Sequence, residues 1–250
     1  MSMSSERVCF LIPTYNNPLT VKKVALDARK YLDDVLVVDD GSSQPGRAAC
    51  EQLAQENIAI VHHRAANGGK GAAVKSGFEV ARSLGYTHVL QVDADGQHDL
   101  ASVPAFLETL RSNPQALVMG YPVYDSTAPL VRRIARKFTD FWVNLEAGHG
   151  VIRDAMVGFR VYPLQALETL SVPSNRMDFD IEVAIRLVWQ GVKVINLPVS
   201  VRYLQASEGG ISHFRPLGDN LRFSWLHSRL CTIKCMRWFF GLFSQVGARI

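Results

Sequence analysis

The residues best equipped for chemistry lie in one stretch, Asp93-Ala94-Asp95-Gly96-Gln97-His98, where the apolar run Val89, Leu90, Val92 ends in a cluster of oxygen ligands. A turn permitted by Gly96 brings the Asp93 and Asp95 carboxylates and the Gln97 amide toward one point. Hard oxygen ligands of this kind suit Mg²⁺ or Mn²⁺, and so small a set leaves positions for the phosphates of a substrate to complete. The competing reading is an acidic turn whose Asp99 caps the next helix before Leu100. Two further polar clusters carry similar potential. Val38-Asp39-Asp40-Gly41-Ser42 offers Asp40 as a hydrogen-bond acceptor for a nucleobase or ribose. Asn67-Gly68-Gly69-Lys70-Gly71 offers Lys70 as a cation against phosphate. Turn chemistry alone can also account for each of these loops when it is taken singly.

The elements that must position these residues follow from the apolar periodicity. Val8 to Ile12 reads as a strand closed by Pro13, and the turn Thr14 to Pro18 leads into a helix through Val21, Val24 and Ala28. Val35 to Val38 is a second strand, followed by a helix through Cys50, Leu53 and Ala54. Ile58 to Val61 is a third strand, and the glycine-rich turn then opens a helix through Ala73, Val74, Phe78 and Val80. Strand and helix in alternation mean parallel βαβ units, and ligands of such sheets gather beyond the carboxyl ends of the strands, where all four polar loops fall.

Composition narrows the class. A chain of 250 residues with 48% hydrophobic and 20% charged content buries a core as one large domain. Cys9, Cys50, Cys231 and Cys235 show no zinc spacing and no secretory signal precedes them, so a reduced, cytoplasmic setting is expected. No apolar run reaches bilayer-spanning length, which leaves peripheral membrane contact. After Asp219 the chain carries Arg222, Arg229, Lys234, Arg237 and Arg249 and no acid. Nucleic acid is not the expected partner, because no reader motif accompanies that charge.

Ile12-Pro13-Thr14-Tyr15-Asn16, Val38-Asp39-Asp40-Gly41-Ser42, Asn67-Gly68-Gly69-Lys70-Gly71 and Asp93-Ala94-Asp95-Gly96-Gln97-His98 resemble, in order and spacing, the motifs of family 2 glycosyltransferases, most nearly those of polyprenyl-phosphate sugar synthases of the dolichyl-phosphate mannose or glucose type. Asp154 to Arg160 is similar to that family's segment ending in Ser-Gly-Phe-Arg, and Phe179-Asp180-Ile181-Glu182 to its acidic motif. The resemblance implies an α/β GT-A fold with a mostly parallel central sheet flanked by helices. It further implies a nucleotide-diphosphate sugar donor of the UDP-glucose or GDP-mannose type, Mg²⁺ or Mn²⁺, inversion at the anomeric carbon and a polyprenyl phosphate acceptor. Residues 1–218 would form one domain, with a Rossmann-like nucleotide-sugar half over 1–99 and an acceptor half over 100–218. Residues 219–250 would form a basic amphipathic helical tail. Pro13, Tyr15, Asn16, Asp39, Asp40, Lys70, Asp93 and Asp95 would bind the donor, and Asp93, Asp95 and Gln97 the metal. Asp95, Asp180, Asp154, Arg202, His213 and Arg215 would serve the reaction, with the last three cations on phosphate oxygens. This chain departs from the pattern at Val157, where Ser is usual, at Ser43-Gln44-Pro45, which lacks a second acid, and at Ser212-His213-Phe214, where Ser-Lys-Leu is common.

A hydroxyl-bearing lipid or glycan acceptor stays open, since it differs chiefly in requiring a carboxylate base, for which Asp154, Asp180 and Glu182 are available. Asp180 and Glu182 also suit the N-terminal turn of a helix. Outside this reaction class stand a non-catalytic nucleotide-sugar-binding protein and a sugar-1-phosphate nucleotidyltransferase. The latter normally opens with a glycine-rich, Arg-containing loop rather than Pro13-Thr14-Tyr15-Asn16. Leu130 to Trp142 and Arg222 to Phe243 form basic, aromatic helical patterns with two readings. They pack on the sheet or on a second copy of the chain, or they lie on an anionic leaflet at the inner face of the cytoplasmic membrane, where each nearby Lys or Arg adds about 1 kcal/mol.

Overall fold

In the computed structural model, which describes residues 6–124, 130–201 and 216–247, the apolar runs become a seven-stranded sheet. The first half supplies β1 (Val8–Thr14), α1 (Val21–Arg29), β2 (Val35–Asp39), α2 (Gly46–Gln55), β3 (Ile60–His63), α3 (Lys70–Ser83) and β4 (His88–Gln91). A 3₁₀ turn, Leu100–Ser102, then leads into α4 (Val103–Ser112). The second half adds β5 (Leu117–Tyr124), α5 (Leu130–Ala147), β6 (Arg160–Pro163), a 3₁₀ turn at Leu164–Leu167, α6 (Phe179–Trp189), β7 (Val194–Val201) and α7 (Pro216–Gly247).

The strands lie in the order β3-β2-β1-β4-β6-β5-β7. β1 pairs in parallel with β2 and β4, β2 with β3, and β5 with β7, whereas β6 runs antiparallel to both β4 and β5. The fold is α/β of the GT-A type. The reversal of β6 matters for the site, because it brings the start of β6 to the edge at which β1, β2, β3 and β4 end. Near-continuous Val, Leu and Ile runs in β1 and β2 are what a sheet covered on both faces requires, and β2 is buried throughout. On one face pack α1, α2 and α4 around Phe10, Leu53, Phe106 and Phe159. On the other pack α3, α6 and the start of α7 around Phe78, Tyr162, Phe179 and Leu230. The Phe106 and Phe159 rings meet edge to face at 4.6 Å, so truncating Phe106 to Ala costs about 3–5 kcal/mol.

Two elements differ in extent from the sequence expectation. The third strand starts at Ile60 rather than Ile58, because the Ile58 N–H bonds the Leu53 carbonyl at 2.9 Å and its side chain closes the end of α2. The helix of the expected tail begins at Pro216, and Phe223, Leu226 and Leu230 belong to the core. The 218/219 boundary therefore falls inside one helix whose inner face is part of the domain. Among the described residues no helix is long and apolar enough to cross a membrane.

Candidate functional site

Four loops at the carboxyl edge of β1 to β4 are tied to one another by side chains. Thr20 Oγ1 donates to the Ala94 carbonyl at 2.6 Å, fastening the β1–α1 connection to the Asp93–Asp95 turn. Asn16 takes a left-handed backbone, φ 52°, from which its N–H donates to Ser42 Oγ at 2.8 Å while its Oδ1 accepts from the Ser43 N–H and hydroxyl. Tyr15 N–H is within reach of Asn17 Oδ1, and Pro13 is buried in register with Val38.

The two acids ending β2 are engaged within the protein. Asp39 is fully buried, accepts the Ser42 N–H at 2.9 Å and lies 2.8 Å from His63 Nδ1. Burial alone would raise its carboxyl, but the Ser42 and His63 hydrogen bonds outweigh it and lower the pKa. Asp40 accepts the N–H groups of Gly68 and Gly69 at 3.0 and 2.7 Å and pairs with Arg64. Its carboxylate therefore fixes the glycine-rich turn, and with it the start of α3, against the end of β2.

That placement delivers Lys70. Its ammonium lies 2.7 Å from Asp93 Oδ1 and 2.7 Å from Asp180 Oδ2, joining the end of β4 to the first turn of α6. Burial alone would lower the Lys70 pKa, yet Asp180 and Asp93 hold it above its ordinary value. Burial would likewise raise Asp93, but Lys70, together with His98 at 3.6 Å, holds it well below the usual carboxylate range. Asp95 behaves in the opposite way. It accepts the Gln97 N–H at 3.0 Å, and burial followed by the charge of Asp93 raises its carboxyl.

Asp95 is thus a desolvated carboxylate pushed toward protonation by a neighbouring anion. A small divalent cation at the Asp93–Asp95 turn would relieve both charges, and the oxygen donors are of the right hardness. Among the described residues no three His, Cys, Asp or Glu side chains are gathered closely enough to hold a metal by themselves. The set fits an ion that shares its coordination with a substrate phosphate. Asp99 caps the 3₁₀ turn that follows, as the competing reading expects, its side chain accepting the Ala101 N–H at 2.9 Å, while Asp93 and Asp95 take no part in that cap.

The remaining acids separate by environment. Asp180 is 2% exposed and faces Lys70 rather than capping α6, while Glu182 is held by Arg186, Arg229 and the Ser174 N–H. Asp154 accepts the Met156 and Val157 N–H groups at 2.7 and 3.0 Å and pairs with Arg136 of α5. The turn so formed presses Gly158 onto the β4 loop, where a Cβ would come within 2.3 Å of Asp93 Oδ1. Arg202, His213 and Arg215 lie outside the described residues.

Nothing in the Asp154 to Arg160 segment taken as sequence singles out Arg160. The guanidinium is completely buried, bonding the Val157, Ala155 and Asp180 carbonyls, and so locks the 155–158 turn to α6. Arg64, Arg136 and His98, whose ring packs edge-on to Phe159 at 5.8 Å, are equally unmarked by local pattern. The position of His98 depends on pairing between the loop after β4 and the end of β7, which no local pattern announces.

With this geometry established, residues 9–169 match the model of the family described as glycosyl transferase family 2. The chain is 29% identical over 230 residues to polyprenol monophosphomannose synthase of Mycolicibacterium smegmatis, covering 87% of this chain and 84% of that one. It is 28% identical over 218 residues to undecaprenyl-phosphate mannosyltransferase of Micrococcus luteus, covering 82% and 88%. Glucosyl-3-phosphoglycerate synthase from Mycobacterium tuberculosis, solved with Mn²⁺, uridine diphosphate and phosphoglyceric acid, superposes with a TM-score of 0.66 at 18% identity, covering 91% of this chain and 79% of that one.

Proposed function

Because the chain belongs to glycosyl transferase family 2, we propose that this glycosyltransferase moves a hexose from a nucleoside diphosphate sugar, of the UDP-glucose or GDP-mannose type, to a polyprenyl phosphate, with inversion at the anomeric carbon. The acceptor class is supported by the two relatives named for polyprenol and undecaprenyl phosphate chemistry. The observation that carries the reading is the position of Lys70 between Asp93 and Asp180, beside the Asp93–Asp95 turn.

The chemistry asks for positive charge where the nucleoside diphosphate departs and for an oxygen nucleophile on the opposite face of the sugar. Asp93 and Asp95, with Gln97, would hold Mg²⁺ or Mn²⁺, an assignment supported by the Mn²⁺ in the solved neighbour. Such an ion acts as a Lewis acid on the diphosphate oxygens. Lys70 supplies a fixed cation at the same edge, oriented by Asp180. The loops built on Asp39 and Asp40, with Pro13, Tyr15 and Asn16, frame the nucleoside. Arg202, His213 and Arg215 are assigned to the phosphate oxygens. A phosphate acceptor is ionised near neutral pH and needs no base. Asp154 is paired with Arg136 and Asp180 binds Lys70 through Oδ2, while Asp180 Oδ1 accepts no hydrogen bond from the described residues, so the acceptor assay decides whether Asp180 orients Lys70 or takes a proton.

The domain reads as a donor half over 1–99 and an acceptor half over 100–218, with the outer face of α7 as the membrane-facing tail. Leu221, Trp225, Met236 and Phe239 are exposed and recur on one side of α7, and Phe138, Phe141 and Leu145 are exposed along α5. With no acid after Asp219, a second copy would be repelled, whereas an anionic leaflet would be attracted. These exposed faces and their charge support a location on an anionic leaflet, which this reading takes as the inner face of the cytoplasmic membrane. Transfer of labelled sugar from a panel of nucleotide sugars, to polyprenyl phosphate and in parallel to hydroxyl-bearing lipids, tests the assignment. Product on the phosphate alone is expected; product only on hydroxyl lipids overturns it.

A further inference from the structure

A cleft of about 280 Å³ opens between the 173–178 loop and the first turns of α7. Arg176, Arg222 and Arg229 line it together with Asn175, Trp225 and Pro173. We propose that this cleft is a binding site for a phosphate ester, separate from the nucleotide-sugar site.

Three observations carry the assignment. First, cations outnumber acids there: Arg176, Arg222 and Arg229, with Lys75, Arg186 and Arg64 behind them, face Asp178, Glu182, Asp219 and Glu79. Glu182 is already shared by Arg186 and Arg229, and Asp219 is paired with Arg222 at 3.0 Å. The excess matches the charge of a phosphate ester, and guanidinium forks suit its oxygens. Second, the wall is built rather than loose. Lys75 Nζ donates to the Val172 and Ser174 carbonyls at 3.0 and 3.2 Å, the Ala72 N–H bonds the Asn175 carbonyl at 2.9 Å, and Arg229 Nη2 reaches Glu182 at 2.6 Å. Arg176 leans on the glycine-rich turn so closely that a Cβ at Gly69 would come 2.7 Å from its Cγ. Third, Trp225 is 70% exposed at the rim, with Leu221 exposed one turn earlier on the same helix. That pairing of guanidinium groups with an apolar lip fits an amphiphilic ester, such as a lipid headgroup, and also admits a free phosphate.

The experiment follows Trp225 fluorescence in the full chain, using Trp225→Phe to isolate its signal, against inorganic phosphate and against phosphatidylcholine vesicles with and without phosphatidylglycerol. Arg176→Gln/Arg222→Gln removes two exposed cations and leaves the half-buried Arg229 paired with the buried Glu182. A distal pair, Lys234→Gln/Arg237→Gln, removes the same charge elsewhere on α7. Each lost charged hydrogen bond is worth about 1.5–3 kcal/mol, so the first pair is expected to weaken saturable binding at least about tenfold and the second to leave it within about twofold. A response to inorganic phosphate identifies a free ester as sufficient, and a response only to phosphatidylglycerol vesicles identifies a headgroup. No saturable response to either probe, or an equal loss in the two pairs, overturns the site.

Discussion

The half-buried Lys70 ammonium and the buried Asp180 carboxylate meet at 2.7 Å, so the second half of the chain holds the first at the site itself. Removing one partner of such a pair strands the other. Lys70→Met should cost about 3–5 kcal/mol in urea unfolding, and adding Asp180→Leu should restore at least about 1 kcal/mol of it. A single-variant loss below about 1 kcal/mol would show that the contact contributes little.

Donor binding should depend on a divalent ion through Asp95. In calorimetry, uridine or guanosine diphosphate is expected to bind much more tightly with Mn²⁺ or Mg²⁺ than with EDTA, and Asp95→Ala should remove the difference. Equal affinity in both buffers for the unaltered chain would end the metal assignment.

If Asp180 orients Lys70 and abstracts no proton, Asp180→Asn should lower turnover on polyprenyl phosphate by less than about a hundredfold, the lower end of what a lost general base costs. A larger loss, together with product only on hydroxyl lipids, would make Asp180 the base.

Asp140 provides a pH signature away from the reaction. Burial and the charge of Asp154 push its carboxyl up to about 6, with Arg136 partly offsetting them. The folded state thus binds its proton more tightly than an unfolded chain with a carboxyl near about 3.9. That contribution to stability is complete below the unfolded value and is lost as pH rises through the folded one. Asp140→Asn should therefore stabilise the protein by about 1–2 kcal/mol at neutral pH, after discounting for partial exposure, with little gain near pH ~4. Thermal melts across that range that show no pH-dependent difference would contradict the burial of a charged Asp140.

Flotation with anionic vesicles should carry the chain upward, less so in high salt. Phe138→Ser/Phe141→Ser and Trp238→Ser/Phe239→Ser should each reduce it, since all four side chains are exposed. Truncation at Gly218 is a poorer test, because it also takes Phe223, Leu226 and Leu230 out of the core. Flotation indifferent to both pairs would remove α5 and α7 from the membrane.

Much of this architecture was legible in the residues. The apolar runs of β1, β2 and β4 and the polar loops that follow them are local patterns, and local patterns are what periodicity reads. The family likeness also follows from motifs held in order. What stayed hidden is long-range pairing. Arg160 looks like a surface cation until β6 is inserted between β4 and β5, and only then do buried carbonyls surround its guanidinium. Asp40 reads equally well as a ligand for substrate or as the anchor of Gly68 and Gly69, because spacing alone does not reveal which N–H groups fold back onto it. The inner face of α7 was ambiguous for the same reason.

The reversed strand β6 also has a consequence for how the molecule is made. β1 to β4 assemble from neighbouring βαβ units whose loops close cheaply, whereas β6 must find a place between β4 and a β5 that itself awaits β7. Asp180, Arg160 and Gly158 all arrive with that later step. During synthesis the nucleotide loops can therefore form while the reactive cluster is still incomplete. A nascent chain would bring Lys70 and Asp93 together before Asp180, Arg160 and Gly158 arrive to complete their surroundings.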